Sequence, residues 1–259
     1  VTDSGRITPL FDRMIKASEN IGIPFNPDYN GASQEGIGMT QATILKGRRQ
    51  STAFCYLDPA RSRPNLTIET GAMAGTLMME GKRCTGIRYT VNGLAHEARA
   101  AREVIVSGGS INSPKLLELS GIGDGDRLKA LGIDVVHHLP GIGENLQDHY
   151  LARMSFKVKG AGTYNEKSRG IRLGLEIAKY ALTRKGMLTA APGNASASVK
   201  VMPGVDNPDV QFTFAPASYV DQLFVVLNDF PRMTYGFWSH RLSHIGSLPS
   251  VFKSPLVSP

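Results

Sequence analysis

The chain of 259 residues is long enough for one large domain or two smaller ones. Apolar residues make up 41% and charged residues 20%, a balance that supports a folded core and excludes a coiled coil or a disordered chain. The net charge is +7, but the basic residues are spread out, and the only dense run is Lys46 to Arg49. No zinc-finger, RNA-recognition or basic-zipper pattern accompanies that run, so a basic surface is a better interpretation than nucleic-acid binding.

Cysteine and histidine spacing predicts neither a disulfide framework nor a metal site. Cys55 and Cys84 are the only cysteines, and the six histidines are scattered. No apolar run is long enough to cross a membrane, so we expect no transmembrane segment. We recognise no signal peptide, and Val1 does not resemble a natural start, so the sequence leaves the compartment open.

The first part of the chain predicts two helices around a loop. Residues 8–20 form the first, with Thr8 as its cap and Pro9 in its first turn. Its apolar face carries Leu10, Phe11, Met14 and Ile15. A loop rich in glycine and asparagine follows, and residues 41–57 are predicted as the second helix.

The middle of the chain predicts strands followed by short helices. The predicted strands are 66–70, 72–79, 85–91, 103–107 and 133–138, and the helices are 114–119 and 126–131. Asn92 and Gly93 form a strong hairpin signal.

After about residue 150 the pattern changes again. Met154, Phe156 and Val158 alternate as in a half-buried strand, and further strands are predicted at 210–214 and 232–238. The longest predicted helix, 169–185, is closed by Gly186. One stripe of this helix is apolar and consists of Ile171, Leu175, Ala178 and Leu182.

The most informative motif runs from Ser107 to Gly123. A predicted strand reaches two glycines, Gly108 and Gly109, and a helix follows, with Ser113 as its expected N-cap and Pro114 in its first turn. A strand, a glycine turn and a capped helix start predict a place where backbone amides face a phosphate or a cofactor edge.

This stretch resembles the second signature of the glucose–methanol–choline (GMC) oxidoreductases. The matching residues are Gly109, Ser113, Pro114, Leu116, Leu117, Ser120, Gly121 and Gly123. Residues 63–67 and 139–149 resemble further landmarks of the family, and the resemblance covers essentially the whole chain. It implies an FAD-dependent oxidoreductase that acts on the CH–OH group of a primary or secondary alcohol.

The resemblance implies an α/β fold (α+β overall), with a partial Rossmann-like FAD-binding domain interleaved with a substrate domain built on an antiparallel sheet. Residues 1–50 are expected in the substrate domain, 51–150 in the partial FAD domain and 151–259 in the substrate domain again. The sequence lacks a Gly-x-Gly-x-x-Gly turn. We therefore expect a central part of a larger enzyme, cut at both ends, with the main catalytic histidine beyond Pro259.

Five residues are candidates for contacts with FAD by resemblance: Ala74, Ser107, Gly108, Gly109 and Ser113. His149 is the candidate catalytic residue, and the alternative is that Asp148 and His149 only tie down a loop. Choline-oxidising relatives carry a glutamate where this chain has Leu151, the candidate substrate-binding residue. Because an apolar side chain cannot offset a buried quaternary cation, Leu151 favours an uncharged alcohol as substrate.

In the implied reaction a base takes the hydroxyl proton and a hydride passes from carbon to the flavin. A dehydrogenase is preferred over an oxidase, and the electron acceptor (quinone, cytochrome or oxygen) stays open. Four aromatic residues either line a pocket or pack in the core: Tyr219, Phe224, Phe230 and Trp238. The alternatives are a truncated or decayed homologue that binds neither flavin nor substrate and, without motif support, a nucleic-acid-binding protein.

Overall fold

The computed structural model describes residues 1–3, 8–191, 193–221, 226–240 and 245–251. The helices are α1 (Leu10–Asn20), α2 (Asp58–Ala60), α3 (Gly109–Leu119), α4 (Gly125–Ala130), α5 (Tyr164–Lys167) and α6 (Gly170–Thr183), with a π-helix at Ala53–Leu57 and a 3-10 helix at Met187–Thr189. The strands are β1 (Thr2–Asp3), β2 (Gly36–Met39), β3 (Gln41–Ala42), β4 (Ile44–Leu45), β5 (Arg48–Arg49), β6 (Ala72–Glu80), β7 (Arg83–Val91), β8 (Leu94–Arg99), β9 (Ile122–Gly123), β10 (His137–His138), β11 (Leu151–Lys157), β12 (Ala195–Val199), β13 (Val210–Ala215), β14 (Tyr219–Asp221), β15 (Val226–Leu227) and β16 (Arg232–Ser239).

The chain divides into two compact units, each assembled from two separate segments. The first unit comprises Val1–Ser62 and His149–Leu242, and the second comprises Arg63–Asp148 and Ser243–Pro259. Residues 51–62 therefore group with the first unit, although the sequence placed the boundary at residue 50. The assignment of the units to substrate and to FAD stays a prediction.

The first unit is built on a five-stranded antiparallel sheet in the order β11-β16-β13-β12-β2. Helix α1 supplies the core of this unit, since Leu10 and Phe11 are buried in one cluster with Ala195 and Phe214. The Thr8 hydroxyl accepts a hydrogen bond of 3.2 Å from the backbone N–H of Leu10. The helix nevertheless begins at Leu10, two residues later than predicted, and Pro9 rather than Thr8 occupies its N-cap position.

The two faces of this sheet differ in character because neighbouring residues of a strand point to opposite sides. On one face, Met154 pairs with Tyr235, and Tyr235 packs against the core cluster. On the other face, Arg153 pairs with Gly236 and both line a cavity. One face therefore holds the fold together and the other is available for a ligand.

The second unit contains the three-stranded antiparallel sheet β6-β7-β8, against which α3 packs. Asn92 and Gly93, both with positive φ, make the predicted hairpin turn between β7 and β8. The Ser120 hydroxyl accepts a 2.8 Å hydrogen bond from the backbone N–H of Leu77 and so joins the end of α3 to β6.

A buried carboxylate connects several loops of the second unit. The side chain of Glu118 is fully buried and pairs with Arg127, and it also accepts a 2.7 Å hydrogen bond from the backbone N–H of Ser250. Arg127 lies 3.5 Å from Glu144 as well. Helices α3 and α4 and two loops thus meet at one charged group.

The predicted helix over residues 41–57 is wrong. The structure forms the short strands β3, β4 and β5, and only Ala53–Leu57 and Asp58–Ala60 are helical. Lys46 and Gly47 have φ values of 50° and 70°, which is a tight hairpin turn and not a helical conformation. The turn therefore divides the region before a helix can form.

Two of the predicted strands, 66–70 and 103–107, pair with no described residue and are not strands. Of the predicted strand 133–138, only His137–His138 forms one. The apolar and β-branched residues favour extended backbone, but a strand also requires a hydrogen-bonded neighbour. Ile105 accordingly remains largely exposed.

Helix α6 is shorter than predicted and ends at Arg184, which takes the left-handed conformation, and not at Gly186. Its Tyr180 hydroxyl donates a hydrogen bond to the carbonyl oxygen of Gly47, so that face packs against the hairpin. The predicted apolar stripe lies on the exposed face instead, where Ile171 and Leu182 are each 85% exposed.

Candidate functional site

A cavity of about 490 Å³ in the second unit brings together three of the predicted cofactor-binding residues. Ala74 contributes from β6, and Ser107 and Gly108 contribute from the segment that leads into α3. Residues 104–106 together with Leu116 and Leu119 give it apolar walls, and Lys115, which is 9% exposed, places a cation there. The cavity therefore offers apolar surface beside a single positive charge.

The turn into α3 depends on both glycines, for different reasons. Gly109 has a φ of +82°, which costs a residue with a side chain strain of about 1–3 kcal/mol. A Cβ on Gly108 would lie 3.1 Å from the Cβ of Asn112 and 3.2 Å from the backbone N of Ser113. The turn therefore favours glycine at both positions, because of backbone strain at Gly109 and tight contacts at Gly108.

The expected role of Ser113 as N-cap is wrong. Because the chain turns at Gly109, the helix begins there, and Ser113 and Pro114 lie inside it while Gly108 occupies the N-cap position. Neither Gly109 nor Ser113 lines the 490 Å³ cavity. Their predicted contacts with FAD stay predictions.

A second cavity, of about 270 Å³, lies on the open face of the five-stranded sheet in the first unit. Leu151 and Arg153 of β11 line it, as do Tyr219 and Trp238. Of the other aromatic candidates, Phe224 lies outside the described residues. Phe230 does not line this cavity, and its ring is contacted by the cations of Lys157 and Arg232.

His149 lies beside Trp238, with ring centroids 6.1 Å apart, and Trp238 lines the 270 Å³ cavity. The imidazole of His240 meets His149 edge to face at 5.7 Å. Burial and the neighbouring His149 lower the pKa of His240 below its usual range, although the Asp209 carboxylate acts in the opposite direction. Two histidines thus meet at one end of the sheet.

Sequence reasoning missed His240, because it was treated as one of several scattered histidines. The signal lies in strand register: Leu151 pairs with Trp238, so His149 and His240 fall at equivalent positions just beyond that pair. Register of this kind is readable only once the pairing of β11 with β16 is known.

Several other site classes find no support among the described residues. The described part of the chain holds no group of three or more histidine, cysteine, aspartate or glutamate residues that could bind a metal. None of the helices that the structure describes is long and apolar enough to span a bilayer. Asn194, which fits a glycosylation triplet in the sequence, is only 2% exposed and therefore cannot accept a glycan in the folded chain.

Comparison with known proteins shows one family. A family model described as GMC oxidoreductase matches residues 1–151. The mitochondrial choline dehydrogenase of Homo sapiens is 42% identical over 216 residues, which are 82% of this chain and 36% of that protein. The oxygen-dependent choline dehydrogenase of Chromohalobacter salexigens is 49% identical over 152 residues, which are 58% of this chain and 27% of that protein. The chain thus spans well under half the length of these relatives.

Solved structures of low sequence identity share the fold. A formate oxidase from Aspergillus oryzae superposes with a TM-score of 0.86 at 20% identity, over 97% of this chain and 48% of its own. A pyridoxine 4-oxidase gives a TM-score of 0.79 at 22% identity, over 99% of this chain and 47% of its own. These likenesses confirm the predicted α/β fold class, which contains antiparallel sheets.

Proposed function

The chain belongs to the GMC oxidoreductase family, and we propose that it contributes to the FAD-dependent oxidation of an alcohol by hydride transfer. The observation that carries the proposal is the 490 Å³ cavity of the second unit. Ala74, Ser107 and Gly108, which the family motifs assign to the flavin, line this cavity together. They reach it from two segments that are well separated in the sequence.

The residues of this cavity fit one part of a flavin nucleotide. The walls of the cavity are largely apolar, and the positive charge of Lys115, one of the lining residues, favours a phosphate. The first N–H groups of α3 lie next to Gly108 and are suited to an anionic or electron-rich edge. FAD, when bound, supplies the acceptor for the hydride. Since the sequence has no Gly-x-Gly-x-x-Gly turn, this chain supplies only part of the seat.

In the first unit, His149 is proposed to take part in positioning or deprotonating the alcohol from the edge of the 270 Å³ cavity. The main catalytic histidine is proposed to lie beyond Pro259. Leu151 provides apolar surface where a choline-binding site would need a carboxylate. The proposed substrate is therefore an alcohol without a quaternary ammonium group, and the acceptor is a quinone, a cytochrome or oxygen.

The test is expression of the gene with all coding sequence that flanks this segment. We expect a yellow protein whose flavin absorbance is bleached when an alcohol is added under anaerobic conditions. Oxygen uptake during turnover then separates an oxidase from a dehydrogenase. A product with no flavin and no alcohol-dependent bleaching would support the alternative, a homologue without catalytic activity.

A further inference from the structure

The 270 Å³ cavity presents hydrogen-bond donors without matching acceptors. Arg153 contributes a guanidinium group, Tyr219 a hydroxyl and Trp238 an indole N–H. The structure shows no hydrogen bond from these three side-chain donors to any described residue. Donors that line a cavity without protein acceptors are suited to a ligand that brings acceptor atoms.

The charge of the cavity is positive. Arg153 is its only charged lining residue among those described, and no described carboxylate forms an ion pair with it. Burial raises the pKa of the Tyr219 phenol above its usual value, and the positive charge of Arg153 acts in the opposite direction. The guanidinium and the phenol line the same cavity and can therefore contact the same ligand.

Two hydroxyls of the wall, those of Ser155 and Thr234, are already engaged. Thr234 donates a 2.7 Å hydrogen bond to the carbonyl oxygen of Ala217, which leaves its oxygen to accept from Ser155 at 2.9 Å. These two hydroxyls are therefore not the main recognition groups. Recognition of a polar ligand falls to Arg153 and its neighbours.

We propose that this cavity binds an alcohol that carries a carboxylate, and that Arg153 selects the carboxylate. A guanidinium binds a carboxylate through two parallel N–H···O hydrogen bonds, which few other ligand groups can accept. Leu151 and Trp238 form the cross-strand pair next to that of Arg153 and Gly236 on the same face of the sheet. They supply apolar contact for the carbon chain of the ligand. The same arrangement disfavours choline, because a guanidinium repels an ammonium ion and no described lining carboxylate offsets it.

The word substrate in this proposal rests on the proposed alcohol oxidation, but binding can be tested without it. Trp238 is the only tryptophan of the chain and lines the cavity, so its fluorescence reports on a ligand there. The 259-residue chain needs neither flavin nor activity for this measurement. A failure of flavin binding would therefore leave the result on ligand charge unaffected.

The experiment titrates the chain with hydroxypropionate that carries its hydroxyl at the chain end, with the matching propanediol and with choline. We expect saturable quenching or a spectral shift with hydroxypropionate, and binding at least about tenfold weaker for the diol and for choline, the effect of one charge-assisted hydrogen bond. Equal or tighter binding of choline in the unaltered chain would overturn the proposal.

Variants then assign the effect to one side chain. Arg153→Gln should weaken hydroxypropionate binding about tenfold and leave the diol unaffected, whereas Arg153→Lys should retain part of the affinity. Arg172→Gln, a change at an exposed position of α6 in the same unit, is the matched control and should bind as the original chain does. Unchanged binding by Arg153→Gln would contradict the proposal.

The reciprocal change provides a separate readout. Leu151→Glu places a carboxylate in the cavity beside Trp238, whose ring also attracts a quaternary ammonium. This variant should bind choline more tightly than the original chain and hydroxypropionate more weakly. If the relative order of the two ligands were the same in both chains, charge would not govern this cavity and the proposal would fail.

Discussion

The imidazoles of His149 and His240 meet edge to face, with ring centroids 5.7 Å apart, at one end of the sheet in the first unit. The antiparallel pairing of β11 and β16, in which Leu151 faces Trp238, brings these two distant parts of the sequence together. Because burial and, to a smaller extent, the second histidine disfavour the charged form, the pKa of His240 is lowered from its usual value.

This relationship predicts an acid-sensitive first unit. A folded-state pKa of His240 below its usual value of 6.5 means that the unfolded chain binds the proton more readily. The free energy of unfolding should therefore be unaffected well above pH 6.5 and should fall as the pH is lowered through that value. The Asp209 carboxylate favours the charged imidazole and so reduces the pKa shift of His240, which makes the expected loss of stability smaller. Urea unfolding followed by Trp238 fluorescence between about pH 7.5 and about pH 5 measures it.

The variant His240→Gln should remove part of this pH dependence, since the group that takes up the proton is gone. His137→Gln is the control, because His137 is an exposed histidine of the second unit. If both variants retained the full dependence on pH, the pair of His149 and His240 would not be its origin.

The sequence predicted those elements of the fold that depend on a single strong local signal, such as regular apolar spacing or a turn dipeptide. The apolar spacing of Leu10, Phe11 and Met14 located α1 and its buried face, and Asn92 with Gly93 located the hairpin of β7 and β8. The family motif pointed to Ala74, Ser107 and Gly108, and the structure places these three around one cavity. Their contact with FAD remains a prediction.

Features that depend on distant partners could not be read from the sequence. The turn at Lys46 and Gly47 overrides the apolar pattern of residues 41–57, and a strand at 103–107 needs a neighbour that no described residue provides. His240 joins the candidate site only through the pairing of β11 with β16. From the sequence alone, Arg153 would be taken for an ordinary surface residue. Only the pairing of the strands shows that it lies on the face of the sheet that carries the cavity.

A second prediction concerns the buried hydrogen bond between Tyr164 and Asn194. The Tyr164 hydroxyl donates to Oδ1 of Asn194 at 2.6 Å, and both residues are buried. Burial raises the pKa of Tyr164 well above its usual value, so the phenol stays a donor at any ordinary pH. Tyr164→Phe leaves a buried oxygen unpaired and should lower the free energy of unfolding by about 1–3 kcal/mol.

Urea unfolding followed by Trp238 fluorescence tests this change, since Trp238 belongs to the same unit. Tyr56→Phe is the matched control, because Tyr56 also belongs to the first unit and its side chain is largely exposed. Equal stability of the two variants would show that the Tyr164 hydroxyl contributes nothing measurable.

A third prediction concerns Glu118 in the second unit. Glu118→Ala removes the buried partner of Arg127 and the acceptor of the Ser250 N–H, and should cost about 3 kcal/mol. Glu118→Gln keeps an acceptor for Ser250 and should cost less. Hydrogen exchange of the Ser250 amide and of the α4 amides measures the change.

The control for Glu118 is Asp126→Ala. Asp126 lies on the surface of the same unit, 3.7 Å from Lys129, and its loss should change stability by less than about 1 kcal/mol. Should Glu118→Ala leave exchange in α4 as slow as Asp126→Ala does, the buried ion pair would not hold this unit together.

A fourth prediction concerns flavin retention by the chain itself. Because the sequence lacks the Gly-x-Gly-x-x-Gly turn that binds the pyrophosphate, the 259 residues alone should purify colourless. An absorbance spectrum of the purified chain is sufficient. A stoichiometric flavin spectrum would show that the 490 Å³ cavity needs no further binding segment.

The last prediction concerns Gly108 in the flavin-loaded product of the whole gene. A valine there would bring its Cβ within 3.1 Å of Asn112 and 3.2 Å of the Ser113 backbone, so the turn at the cavity must shift. Gly108→Val should therefore reduce the ratio of flavin to protein absorbance after dialysis much more than Lys179→Val. Lys179 lies on the exposed surface of α6, in the other unit, and makes a suitable control. Equal retention of flavin by the two variants would mean that this turn does not approach the cofactor, and the proposed flavin seat would have to be placed elsewhere.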